Sequence, residues 1–141
     1  MDDDKVFVFT YGTLKRDFHN HFYIENDEFI GTASTKEAVY SMVQLGSHAI
    51  VGRCCPGVKL NGSSFISGEV YAVNKTRIPS LDQLEEEGTR YKKQLIPLTM
   101  DCSSVSEAWI YIHIDDTETI LDSTNQISFS NESNTFTWIL P

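Results

Sequence analysis

Two segments of this chain hold residue types that could do chemistry together, L-D-Q-L-E-E-E-G-T-R-Y at residues 81–91 and V-F-V-F-T-Y-G-T-L-K-R at residues 6–16. The first contains three consecutive glutamates, and a helical repeat of roughly 100° per residue decides which of them turns inward. Leu81 and Leu84, with Ile78 at the entry, form an apolar stripe; Glu85, four residues after Leu81, falls inside it, whereas Glu86 and Glu87 point away. A carboxylate on the core-facing side loses solvation, which disfavours its charged form and raises its pKa toward the range useful for proton transfer near neutral pH. Glu85 is therefore the candidate acid/base. The residues alone leave a second role open, because a helix this short frays and structural ion pairs also perturb carboxylates: Glu85 could bond a neighbouring backbone group or pair with Arg90, Lys92 or Lys93.

The other segment packs Val6, Phe7, Val8 and Phe9 into an apolar run and breaks it at Gly12, the pattern of a buried strand delivering a tight turn to the surface. Such a turn presents bare N–H groups to an oxygen-rich ligand, and a glycine lets the chain approach that ligand closely.

The elements that must hold these two segments follow from periodicity. Ser80 is placed to cap a helix over 80–87, Gln83 to complete a capping box, and Gly88 to stop it. A second helical segment is expected near 20–28, and strands at about 6–11, 38–45, 66–73, 94–100, 107–114 and 135–140. Ala108, Ile110, Ile112 and Ile114 alternate with Trp109, Tyr111 and His113, so the isoleucines are expected inward. Phe136, Trp138 and Leu140 alternate likewise, and the Ser/Asn-rich stretch 122–134 between these strands reads as a mobile loop. Many strands with two short helices define an α+β domain.

The string Y-G-T-L-K-R, the Asn20-His21 pair, the Pro56-Gly57 step, the stretch from Gly68 to Val73, and L-D-x-L-E followed six residues later by Tyr91 occur in order between about residues 6 and 98. In these the chain resembles the γ-glutamylcyclotransferase superfamily, and within it the γ-glutamylamine cyclotransferases and AIG2-like proteins. The resemblance implies a small mixed β-barrel, closed or nearly closed, with flanking short helices. It implies a pocket at the open end, between the first turn and the helix bearing Glu85. It also implies that the α-amine of a γ-glutamyl group attacks its own γ-carbonyl and releases a free amine and 5-oxoproline, with no metal and no cofactor. By similarity Glu85 is the general acid/base, and Tyr11, Gly12, Thr13 and Leu14 form the substrate-holding loop. Tyr91 either lends a hydroxyl to the pocket or is an aromatic buried against the barrel. Four positions depart from relatives. Asp17 stands where a glycine usually follows the Lys-Arg pair, Gly88 and Thr89 stand where a proline often does, and Lys93 replaces an arginine two residues beyond the tyrosine. Should that arginine hold a substrate carboxylate, Lys93 would do so only as a point charge. Alternatives with the same fold are a cyclotransferase acting on γ-glutamyl amino acids or glutathione, and a binding module without turnover.

Composition fits one domain over residues 1–141, of which 1–5 are acidic enough to be disordered or tag-derived. A net charge of −9 repels phosphate backbones and anionic membranes, so neither nucleic acid nor membrane is an expected partner. No apolar run approaches the roughly 20 residues that span a bilayer, and the M-D-D-D-K start lacks the pattern of a signal peptide. The expectation is a cytoplasmic monomer or weak dimer acting on a small γ-glutamyl substrate. Cys54, Cys55 and Cys102 lack metal spacing and read as reduced thiols, and His19 and His21 read as parts of a polar loop rather than metal ligands. Asp115 and Asp116 read as a solvated turn.

Overall fold

A computed structural model describes residues 4–18, 20–45, 55–101, 103–121 and 126–139. Cys54, Cys102, His19, His48 and Leu140 lie outside them.

The element that organises the domain is one long strand. The expected strand over 66–73 is the distal half of β4 (Cys55–Asn74), twenty residues that serve two surfaces in succession. Its first half pairs antiparallel with β3 (Tyr40–Leu45), Cys55 opposite Leu45 and Lys59 opposite Ser41. Its second half pairs on one edge with β1 (Lys5–Thr10), Thr10 opposite Glu69, and on the other with β2 (Glu28–Thr35), Thr32 opposite Glu69. Strand β2 continues to β5 (Tyr91–Thr99), β5 to β6 (Glu107–His113), and β6 returns to β1 through a parallel contact of Val8 with Trp109. The ladder β1–β6–β5–β2–β4 thus closes on itself, giving an α+β fold built on a twisted, barrel-like mixed sheet. The short β7 (Ile120–Leu121) extends β3, while β8 (Ile127–Ser130) pairs with β9 (Thr135–Trp138), which runs parallel to β4 at Phe65 and Ile66.

Two apolar clusters fill the fold. Phe9, Val58, Ile66, Val70, Ile110 and Trp138 belong to one. Val8, Leu14, Val73, Leu81, Tyr91 and Tyr111 belong to the other, which therefore joins the first turn to the only α-helix among the described residues, α1 (Ile78–Leu84). Leu81 is fully buried there, a burial worth about 2 kcal/mol.

Several elements differ from the expectation. Helix α1 begins two residues before Ser80, with no side-chain cap of its own, because a 3-10 turn at Lys75–Arg77 leads directly into it. The start of that turn is capped by Asn74, whose side chain accepts from the Thr76 amide at 3.0 Å, and Pro79 fits the first helical turn, where its missing N–H costs nothing. The stop is not Gly88 but Glu86, which takes φ +50°. Its amide donates to Gln83 at 3.2 Å and that of Glu87 to Asp82 at 2.9 Å, the crossed pair of a Schellman reversal. Residues 20–28 hold only a 3-10 turn, His21–Tyr23, and β2 begins at Glu28. The Ser-rich stretch 122–134 contains β8, whose Phe129 stacks on Phe136 of β9 with centroids 4.7 Å apart. Strand β6 is covered on both faces: Ala108, Ile110 and Ile112 are buried, and so are Tyr111 and His113, while Ile114 is exposed. Asp115 does form a turn, accepting from the Thr117 amide at 3.0 Å. No described helix is long and apolar enough to cross a membrane.

Candidate active site

Strand β1 ends at Thr10 and delivers Tyr11 and Gly12 into a turn closed by the Lys15 amide on the Gly12 carbonyl at 3.0 Å. Among the described residues, the amides of Gly12, Thr13 and Leu14 donate no hydrogen bond. The turn is braced from behind by the Asn20-His21 pair. Asn20 donates its amide to the Thr13 carbonyl and its side-chain nitrogen to Thr13 Oγ1, both at 2.9 Å, and His21 Nδ1 lies 2.8 Å from the Leu14 carbonyl, to which it donates. The Lys15 ammonium is buried and donates to the Trp138 carbonyl at 2.6 Å, tying the turn to β9. Burial lowers its pKa, partly offset by the charge of Glu69. Asp17 takes φ +74°, the left-handed geometry in which a glycine is unstrained; the bend a glycine would make is kept here by an aspartate.

The second wall is β4 at Pro56. A Cβ on Gly12 would stand 2.5 Å from Pro56 Cγ, so no side chain fits. The Pro56 carbonyl accepts the hydroxyl of buried Tyr91 at 2.8 Å, and the Tyr11 hydroxyl donates to the Tyr111 carbonyl at 2.7 Å. Both phenols are held well above their ordinary pKa. For Tyr11 the main cause is burial and the next is the nearby Glu85; for Tyr91 it is burial followed by Tyr11. Tyr91 is thus a buried ring whose hydroxyl is spent on the Pro56 carbonyl.

Glu85 closes the constellation. It is the C-cap of α1, its amide bonded to the Leu81 carbonyl at 3.0 Å. The residue is half-buried, and the desolvation of its carboxyl pushes it up to about 7 against the opposing charge of Arg90. Its charge is felt by Tyr11, Cys55, Tyr91 and Tyr111, so the carboxyl and the turn share one set of neighbours. None of the ion pairs open at the sequence level forms. Lys93 pairs with Asp82 at 3.1 Å, and Arg90 with Glu118 at 2.7 Å. Glu86 is exposed, and the Glu87 carboxylate accepts from the Lys93 amide at 3.1 Å.

Sequence reasoning missed Arg90, Glu118, His113 and Cys55. Arg90 grips Glu118 at two points, Nε to Oε1 at 2.8 Å and Nη2 to Oε2 at 2.7 Å, and also donates Nη2 to Cys55 Sγ at 2.9 Å. His113 Nε2 lies 2.9 Å from Glu118 Oε1. A charge-bearing contact between residues 28 positions apart leaves no periodic signal in the sequence. An apolar groove of about 450 Å³ lined by Val6, Lys75, Ile78, Pro79, Lys93 and Trp109 contains none of these groups.

The fold and these residues define a class, a barrel-like α+β domain whose first turn carries free backbone amides and whose helix ends on a desolvated carboxyl. The chain belongs to the γ-glutamyl cyclotransferase, AIG2-like family, whose model matches residues 8–130. A protein of Methanocaldococcus jannaschii, provisionally named a γ-glutamylcyclotransferase, is 33% identical over 109 residues, covering 76% of this chain and 83% of its own. A similarly named protein of Vibrio cholerae is 32% identical over 106 residues, covering 75% and 80%. Among solved structures, a mouse AIG2-like protein superposes with a TM-score of 0.65 at 23% identity, covering 77% of this chain and 76% of that one.

Proposed function

We infer that the protein is a γ-glutamylamine cyclotransferase, cleaving amides such as γ-glutamyl-ε-lysine to 5-oxoproline and a free amine. One observation carries the reading: a desolvated carboxyl pushed up to about 7 acts on Tyr11, the residue that leads into a turn whose three amides have no acceptor among the described residues.

The α-amine of the substrate is mostly protonated at neutral pH, so it first gives one proton to solvent and attacks as the neutral amine. Glu85, close to half ionised there, takes a proton from the nitrogen as it bonds to the γ-carbonyl carbon, closing a five-membered ring. The carbonyl oxygen becomes an oxyanion, and the Gly12–Leu14 amides are its donors. Glu85 then returns the proton to the departing nitrogen as its bond to carbon breaks, and no water is consumed. The hydrogens of Tyr11 and Tyr91 are committed to backbone carbonyls, so neither phenol donates a proton in this sequence of steps. Nucleophile and electrophile belong to one molecule, so most of the barrier is met by holding it ring-ready.

An amine leaving group is favoured over an α-amino acid by the state of the neighbouring cations. Arg90 and Lys93 are committed to Glu118 and Asp82, leaving neither for a carboxylate next to the departing nitrogen, a group that an α-linked amino acid has and an ε-linked lysine lacks. The test is incubation with γ-glutamyl-ε-lysine, γ-glutamyl-alanine and glutathione, with 5-oxoproline as readout. The reading expects product from the first substrate and none from Glu85→Gln. Equal product from wild type and Glu85→Gln, or product only from the other two substrates, overturns it.

A further inference from the structure

A buried cation stands beside a carboxyl that has to spend part of its time neutral. Arg90, whose side chain is 11% exposed, is the charge that opposes the raised pKa of Glu85. At full strength, an opposite charge within about 4–6 Å lowers a carboxylate's pKa by about 1–3 units, which would hold Glu85 ionised and unable to deliver a proton. The structure contains a device against this. Glu118, whose side chain is 3% exposed, takes both near edges of the guanidinium at 2.7 and 2.8 Å. Burial alone would raise the Glu118 carboxyl, yet its bonds to Arg90 and His113 hold it down at about 2, so it carries its full charge wherever Glu85 titrates. We propose that Glu118 is a positioning residue for the proton-handling carboxyl: its two-point grip on Arg90 neutralises that cation locally, so the guanidinium can wall the pocket without holding Glu85 ionised.

The remaining groups around the pair fit this assignment. Those that face Glu85 are Tyr11 after β1, Cys55 at the start of β4, Arg90 and Tyr91 at the start of β5, and Tyr111 on β6. Burial raises the Cys55 thiol, against the lowering effect of Arg90, and the phenols are raised likewise; among these groups Arg90 is the one permanent charge. Arg90, His113, Cys55 and Asp115 are among those that face Glu118. His113, with its hydrogen on Nε2, donates to the Glu118 oxygen already shared with Arg90 and fixes the carboxylate plane. The grip is thus held from three elements.

The role assigned to Glu118 rests on the acid/base role proposed for Glu85, but its test needs no turnover. The carboxyl carbons of Glu-labelled protein are titrated by NMR, with the Glu85 signal assigned by its loss in Glu85→Gln. In Glu118→Gln the Glu85 midpoint is expected about one pH unit lower than in wild type, and any acid limb of kcat/KM should move with it. A merely structural role would lower the melting temperature and leave that midpoint where it was, which overturns the proposal. Should Glu118→Gln not fold, the charge-free pair Arg90→Met/Glu118→Leu decides, since a buried ion pair can be replaced by apolar residues at little cost. The proposal expects Glu85 in that double variant to titrate less than about one pH unit above wild type; a rise of about 1–3 units, the effect of a full opposite charge, would mean that the paired Arg90 still acts as one, and would overturn it. Absence of 5-oxoproline together with a moved midpoint would remove the cyclotransferase reading and leave this one standing.

Discussion

The Tyr91 hydroxyl donates to the Pro56 carbonyl at 2.8 Å, and the ring of that same proline occupies the space where Gly12 would carry a Cβ. One residue of β4 therefore sets both the height of the phenol and the closest approach of the turn. Its ring cannot swing aside as a flexible side chain would, which makes the absence of a side chain at position 12 a geometric requirement.

Gly12→Ala should accordingly displace the turn. The expected cost is about 1–3 kcal/mol of stability, as for other overpacked sites, and at least about a hundredfold in kcat/KM, because a displacement near 1 Å is enough to misalign a ring closure. Denaturant melts and steady-state kinetics check the two halves separately. Unchanged kinetics would show that the turn takes no part in binding.

Glu85→Gln should stabilise the fold in a pH-dependent way. The folded carboxyl is pushed up to about 7 from an ordinary 4.5. Its contribution is fully present below the unfolded value and is lost as pH rises through about 7. The advantage of the amide over wild type should thus be under about 1 kcal/mol at pH 5 and reach about 3 kcal/mol at pH 8. Thermal melts at the two pH values measure it, and an equal difference at both would contradict the desolvation of the carboxyl.

Asn20→Ala and His21→Ala remove braces of the turn at Thr13 and Leu14. Each should cost about 1 kcal/mol of stability and raise KM more than it lowers kcat, since the cradle is loosened while Glu85 is untouched. Kinetics with a γ-glutamyl amide distinguish this from a loss in kcat alone.

Asp17→Gly should be a gain. The aspartate holds φ +74°, and relieving it should add about 0.5–1 kcal/mol despite the greater freedom of glycine in the unfolded chain. Asp17→Val should lose more than Asp17→Gly gains.

What the sequence revealed, and what it hid, divides along the distance over which each feature is encoded. The turn at Gly12 and the half-buried Glu85 were legible because a strand running into a glycine turn, and a carboxylate four residues after a core leucine, are local patterns. The helix was legible but its ends were not. Its start is governed by Asn74 through a 3-10 turn, and its stop by a glutamate in a conformation usually left to glycine. Strand β2 was hidden by small residues and a register shift between Phe29 and Gly31, and β8 by the serines that alternate with Ile127 and Phe129. The Arg90–Glu118 pair, the Lys15 tie to Trp138 and the Pro56 wall join residues far apart in the chain, and only the closed ladder of strands brings them together.

The most direct measurement is a crystal structure with 5-oxoproline bound. The account predicts the ligand's ring carbonyl within about 3 Å of amides from Gly12 to Leu14, with the Glu85 carboxyl hydrogen-bonded to the ring nitrogen. A ligand seated in the groove of Val6 and Trp109, or a Glu85 carboxyl turned to solvent away from Gly12, would contradict it.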